Sequence, residues 1–318
     1  MIGGSAAGRT RAGLALAVVS ALTFGTSGPF AKALADTGWS SSGIALVRIG
    51  GAALILLMVL AIVRPGVVAA LRADGPALVL YGVLAMAFVQ LAFFNALRTL
   101  PVAVALLIEY TGPVLVIAWV WVVRRQPPSR RTLGGATVAI LGLTLVVQLW
   151  DGVGIQVEGL LWGLLAAVCQ ASYFLLADRA GSATPPLVLA GVGMTVGAVV
   201  VGLLGIVGLM PIVINTAAPE VLLAGTNVGW PVTATLLVVV SSVIAYLTGV
   251  LAIARIGASR GALVALLEVV ASAIASWLLL GEVPTAMQIV GGGLILVGVA
   301  ATTPRARENL TEPDRVGA

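Results

Sequence analysis

Histidine is missing from all 318 residues, and cysteine occurs once, at Cys169. Without an imidazole there is no His-based proton relay, no Ser–His nucleophile and no His-ligated metal site. A single cysteine excludes an intrachain disulfide and any multi-cysteine metal cluster. Charge is scarce as well. Only 9% of residues are Asp, Glu, Lys or Arg, against about 25% in soluble domains. No GxxxxGK[ST] loop occurs, so nothing in the chain points to direct ATP hydrolysis. No cofactor and no metal is expected.

What fills the chain instead is apolar. Hydrophobic residues make up 60% of it, and the mean hydropathy is +1.14. Such a surface faces lipid, and the expected location is the cell membrane. The 39 glycines exceed the usual share of about 7% and suit helices that pack closely in a bilayer. A spanning helix needs about 20 mostly apolar residues. Ten such segments can be read: about 12–34, 42–63, 76–97, 101–123, 132–150, 158–178, 186–209, 232–254, 260–281 and 285–303. The stretch from Met210 to Pro231 reads as the one longer loop. Residues 304–318 are polar and are expected to form a disordered cytoplasmic tail. Arg9, Arg11 and the ALAD ending at Asp36 have the look of a cleaved leader. The first segment has a partner later in the chain, however, and is expected to stay.

Orientation follows from the basic residues. With the N-terminus in the cytoplasm, 14 of the 17 Lys and Arg residues fall on the inner side, Lys32 and Arg98 fall outside, and Arg48 lies within span two. This bias predicts that both termini are cytoplasmic. Trp39, Trp150, Trp162, Trp230 and Trp277 then mark the outer interface, and Trp119 and Trp121 the inner one. The basic residues sit in short loops, a pattern of topology rather than of nucleic-acid binding.

The two halves resemble each other. The segment from Gly13 aligns without gaps on the segment from Gly159, and the same register pairs Gly51 and Ala52 with Gly197 and Ala198. VAVALLIE, ending at Glu109, aligns on GALVALLE, ending at Glu268. Further on, Gly135 pairs with Gly291 and Gly142 with Gly298. Five spans per half is an odd number, so the second half must sit inverted relative to the first, as in many transporters whose site lies at the midplane between repeats. The fold class expected is therefore an all-α polytopic membrane protein, a single membrane domain of two inverted five-helix repeats, 12–150 and 158–303. Glu109 and Glu268 each lie about eight residues into their spans, roughly 12 Å deep in a core of about 30 Å, and approach the midplane from opposite sides.

Carboxylates at that depth usually face a bundle interior or a watery cavity. Glu109 sits in LLIEYTGP, and Pro113 has no N–H to offer the carbonyl of residue 109. A kink beside a carboxylate is thus predicted, and Pro29 after Gly28 predicts a similar bend in span one. Contact with a substrate or a coupling proton is the functional reading of Glu109; a carboxylate locked between helices is the structural one. Glu268 shares a face with Ser272, Ala275 and Ser276, which suits a pore lining and tight packing equally. Arg48, whose repeat counterpart is Met194, reads either as a clamp for a substrate carboxylate or partner of Glu109, or as a side chain reaching the outer headgroups. Gln90, Asn95, Gln170 and Tyr173 could bind a substrate or join helices. Glu282 reads as a boundary or capping residue.

The ten-span pattern, LLLGE at 278–282 followed by GGGLILVGV, and the internal repeat together resemble the EamA branch of the drug/metabolite transporter superfamily, over roughly residues 12–303. The IEYTGP segment is similar to the matching part of threonine/homoserine exporters. The resemblance implies a small-metabolite carrier, an exporter of amino-acid-like compounds foremost. The second half departs from the first in carrying Ser272 where the first has Pro113.

The leading expectation is a secondary transporter working by alternating access, with proton coupling through Glu109 or Glu268 and facilitated exchange both open. An uptake permease or a multidrug-type exporter of the same fold is the alternative. A non-transporting sensor or scaffold is the alternative of another class, and an intramembrane enzyme is disfavoured because no intramembrane Asp pair accompanies the missing histidine. The expected partners are a small-molecule substrate and the lipid bilayer, with monomer and homodimer both open.

Overall fold

The computed structural model describes residues 6–63, 66–96, 99, 105, 108–147, 156–180, 184–217 and 220–302. Span one is α1 (Ala6–Gly25) followed by α2 (Ser27–Ala35), and span two is α3 (Ser41–Val63). Span three is α4 (Val67–Tyr81), a π-helical stretch at Gly82–Phe88 and α5 (Val89–Ala96). Next come α6 (Gly112–Val122), α7 (Arg130–Val147), α8 (Val157–Ala180) and α9 (Pro186–Ile206). A hairpin of β1 (Glu220–Leu223) and β2 (Thr226–Gly229) follows. Span eight is α10 (Trp230–Val238), a second π stretch at Val239–Ile244 and α11 (Ala245–Ile256). Span nine is α12 (Ala258–Ala265) with α13 (Leu267–Leu280), and α14 (Ala286–Thr302) ends the described chain.

Among the described residues, seven helical stretches are long and apolar enough to cross a bilayer, and Gly112–Val122 and Ala286–Ala301 are shorter apolar helices. Large apolar side chains such as Leu54, Ile62 and Ile206 point outward and stay exposed, as lipid-facing residues do. Two interruptions recur at matching places in the two halves. Spans three and eight each pass through a π stretch in mid-helix. Spans four and nine each break near their glutamate, with turns in which Thr111 N–H donates to Ile108 O (3.1 Å) and Leu266 N–H to Leu263 O (3.2 Å). Pro113 falls in the first turn of α6, where its missing N–H is one of the helix's unpaired donors anyway. Pro29 holds the same kind of place in α2, just beyond the break at Thr26.

Glycine lets α7 and α14 touch backbone to backbone. A Cβ on Gly142 would come within 2.5 Å of Gly291 O, and a Cβ on Gly298 within 2.5 Å of Gly135 O. These four glycines are the ones paired by the repeat register, and they meet across a single interface of small residues.

Three expectations need correction. Helix α4 starts at Val67 rather than near 76 and kinks at Asp74 (φ −129°, ψ 17°), because Pro76 leaves a gap in the helical ladder. Part of the long loop, Glu220–Gly229, is a β-hairpin. Ala224 and Gly225, both at positive φ (50° and 73°), turn the hairpin as two-residue hairpin loops require, and Ala224 N–H donates to Leu279 O (2.7 Å) at the end of α13. Trp39 is buried at 4% exposure and so does not face headgroups. Its Nε1–H donates to Asn215 O (2.8 Å), and its ring meets Trp230 at 5.5 Å. The expected tail at 304–318, Arg98 and Trp150 lie outside the described residues.

Candidate functional site

The broken spans surround one large cavity of about 1020 Å³. Glu109, Glu268 and Arg48 all line it, together with Phe24, Tyr110, Tyr173 and Tyr246. The two carboxylates and the guanidinium are near enough to feel one another's charge. In water such fields fade within about a Debye length; a confined apolar cavity weakens them less.

Arg48 is placed by span eight. Its Nε donates to Ser242 Oγ at 3.2 Å, and its guanidinium carbon stands 5.8 Å from the Phe24 ring centre and 5.9 Å from that of Tyr246. Both rings lie within cation–π range, and they meet each other edge-on at 4.6 Å. The π stretch explains why a serine is available there. Opening the helix to i→i+5 spacing frees carbonyls, and the Ser242 hydroxyl donates to one of them, Leu237 O, at 3.0 Å. The same oxygen then accepts from Arg48, so the irregular turn in span eight orients the cation of span two.

The carboxylates come from the two breaks. Glu109 ends the helical turn ahead of the Tyr110–Thr111 break, and Glu268 opens α13 two residues after the break at Leu266. Tyr110, beside Glu109 at the first break, lines the same cavity as Glu268. At the first span's interruption, Thr26 Oγ1 and Ser241 Oγ share a hydrogen bond of 2.7 Å.

The cavity also holds polar groups with nothing to bind. Tyr173 is 9% exposed. Its hydroxyl and Gln170 Oε1 are buried and have no hydrogen-bond partner among the described residues. Buried polar atoms are seldom left so without a ligand or water to satisfy them. Gln90, Ser272 and Ser276 line the cavity as well. Asn95 does not. Its Nδ2 donates to Leu91 O at 2.9 Å, one turn back along its own helix, which removes it from the set of candidate contacts. Ala275 is buried in packing.

Sequence reasoning passed over Tyr110, Tyr246, Phe24 and Ser242. Tyr246 gave the same signal as Tyr173, an amphipathic ring in an oily span. Ser242 gave no signal of its own, because only the π stretch turns it inward.

The fold and the cavity invite comparison with known proteins. A solved crystal structure superposes on the chain with a TM-score of 0.71 at 21% identity, covering 92% of this chain and 96% of that one. At that identity the likeness speaks for the fold. An inner membrane transporter of Salmonella typhimurium, YicL, itself described as uncharacterized, is 24% identical over 198 residues. The match takes in 61% of this chain and 66% of YicL, just under two thirds of its length. The model of the EamA-like transporter family matches twice, over residues 11–148 and 157–303. The chain is a multi-pass membrane protein, and it belongs to the EamA-like transporter family.

Proposed function

We propose that this protein is a secondary transporter that exports a small zwitterionic, amino-acid-like metabolite by alternating access. In this reading ten spans form two inverted repeats, and both termini lie in the cytoplasm. The observation that carries the substrate chemistry is the meeting of Arg48 with Glu109 and Glu268 in one cavity. A guanidinium is suited to a carboxylate, and the Glu109 and Glu268 carboxylates in the same cavity suit an ammonium group, so a molecule bearing both charges would neutralise the site. Tyr173 and Gln170 offer their unpaired atoms to the rest of the polar head, and the Phe24 and Tyr246 rings face the side chain. Two acids against one base also leave a carboxylate that could exchange a proton with each cycle.

The test is flux in sealed proteoliposomes. A pooled set of labelled amino acids should show saturable transport driven by a substrate or proton gradient, and unlabelled competitors should identify the preferred head group. Competition by compounds lacking the carboxylate, equal to that by the full zwitterion, would reject the assignment. Equal flux of lipophilic cations would favour the multidrug reading instead.

A further inference from the structure

Two ion pairs occur among the described residues, and they stand at opposite ends of the bundle: Lys32 with Glu282, and Arg124 with Asp178. The repeat relates them. In the ungapped register that pairs Gly13 with Gly159, Lys32 falls on Asp178. Glu282 and Arg124 follow the paired glutamates Glu268 and Glu109 by fourteen and fifteen residues. Each pair therefore ties the far end of the first span of one repeat to the far end of the fourth span of the other. The signs are exchanged between them, lysine against aspartate and glutamate against arginine.

Their surroundings differ. Lys32 and Glu282 both line the cavity and have side chains 56% and 45% exposed. Arg124 and Asp178 do not line it, and are 34% and 17% exposed. The Asp178 carboxylate also lies close to Gly257, whose positive φ of 80° turns the chain from span eight into span nine. At one end the pair is part of the cavity's lining, and at the other it lies beyond that lining and is more buried.

We infer that the two pairs are the reciprocal end ties of the transport cycle, Arg124–Asp178 sealing the end now closed and Lys32–Glu282 sealing the other end in the opposite state. In an inverted repeat, each half adopts the other's conformation when access switches. The pair at the closing end becomes buried and the one at the opening end becomes solvated. The exposure difference seen here would then be reversed. This inference rests on the alternating-access reading above, but not on the substrate.

Thiol labelling tests it without any substrate. Cys169 is replaced by alanine, and Ala265→Cys places a reporter on the cavity wall beside the break in span nine. A membrane-impermeant maleimide is then added from either side of oriented vesicles. Asp178→Asn should raise labelling from the Arg124 side about two- to fivefold, the range within which a partly screened ion pair shifts a two-state balance. Glu282→Gln should lower it by a similar factor. The double exchange Arg124→Asp with Asp178→Arg should return the rate towards that of the parent. Unchanged rates in both single variants, or the same change in both, would overturn the inference, as would an exchange no better than its singles. Should the exchange fail to accumulate, the two conservative singles still decide by the opposite signs of their shifts. Loss of all flux with these labelling shifts intact would instead count against the transport reading alone.

Discussion

Replacing Arg48 separates a binding cation from a merely anchored one. In the cavity it is held on three sides, by Ser242 Oγ at 3.2 Å and by the faces of Phe24 and Tyr246. The end of the guanidinium is left for a ligand. A charge-assisted contact to a substrate carboxylate is worth about 1.5–3 kcal/mol, so Arg48→Gln should raise the KM for transport by about 10- to 150-fold. Arg48→Lys keeps the charge but not the planar fork, and should cost about 1 kcal/mol, roughly a fivefold rise in KM. Ser242→Ala removes the Nε contact while leaving the charge, and should give a smaller rise than Arg48→Gln. The assay is initial-rate flux in proteoliposomes over a concentration series, with thermal stability of the purified variants measured in parallel. The reasoning fails if Arg48→Gln transports with an unchanged KM, or if Arg48→Lys is as damaging as Arg48→Gln. Either result would return Arg48 to a structural place between two rings.

Glu109→Gln preserves size and hydrogen bonding but cannot ionise at working pH; it should reach the membrane normally and lose transport or its pH dependence, and unchanged flux across a pH series would make the carboxylate structural. Pro113→Ala removes the ring that fixes the backbone in the first turn of α6 just after the break, and should slow transport without lowering expression, as read by flux per mole of purified protein. Gly142→Val would drive a side chain into Gly291 O on α14 and should destabilise the protein by about 1–3 kcal/mol, seen as an earlier thermal transition. A reporter active only outside the cytoplasm, fused to the C-terminus, should stay silent; strong activity there would sink the ten-span arrangement.

The elements legible in the sequence were those with a large local signature. Long apolar runs marked most spans, and a carboxylate with a proline four residues on marked the break at Glu109. Longer-range features were hidden. Nothing in VVSSVI announces a π stretch, since that geometry is decided by what packs against it, and with it Ser242 went unnoticed. Asn95 read as a polar candidate because composition cannot say whether an amide turns to its own helix or to a cavity. Trp39 read as interfacial because position along the chain does not show that the 211–216 segment folds back over it. The opposite charges at Lys32 and Asp178 were visible in the repeat register, but their partners are separated from them by 250 and 54 residues, and only the fold brings those together.

The hairpin after span seven has no equivalent in the first half, where residues 64–66 alone connect α3 to α4. Through Ala224 it is stitched to the end of span nine, and the irregular segment ahead of it is stitched to Thr37 and Ser40 beyond span one. Both clasps act on the same end of the molecule, the one at which Lys32 and Glu282 line the cavity, and both are made in the state seen here. A perfect two-fold machine would spend equal time facing each way when empty. In the alternating-access reading proposed above, one orientation carries bonds with no counterpart in the other half, and the empty carrier would then have a resting posture of its own.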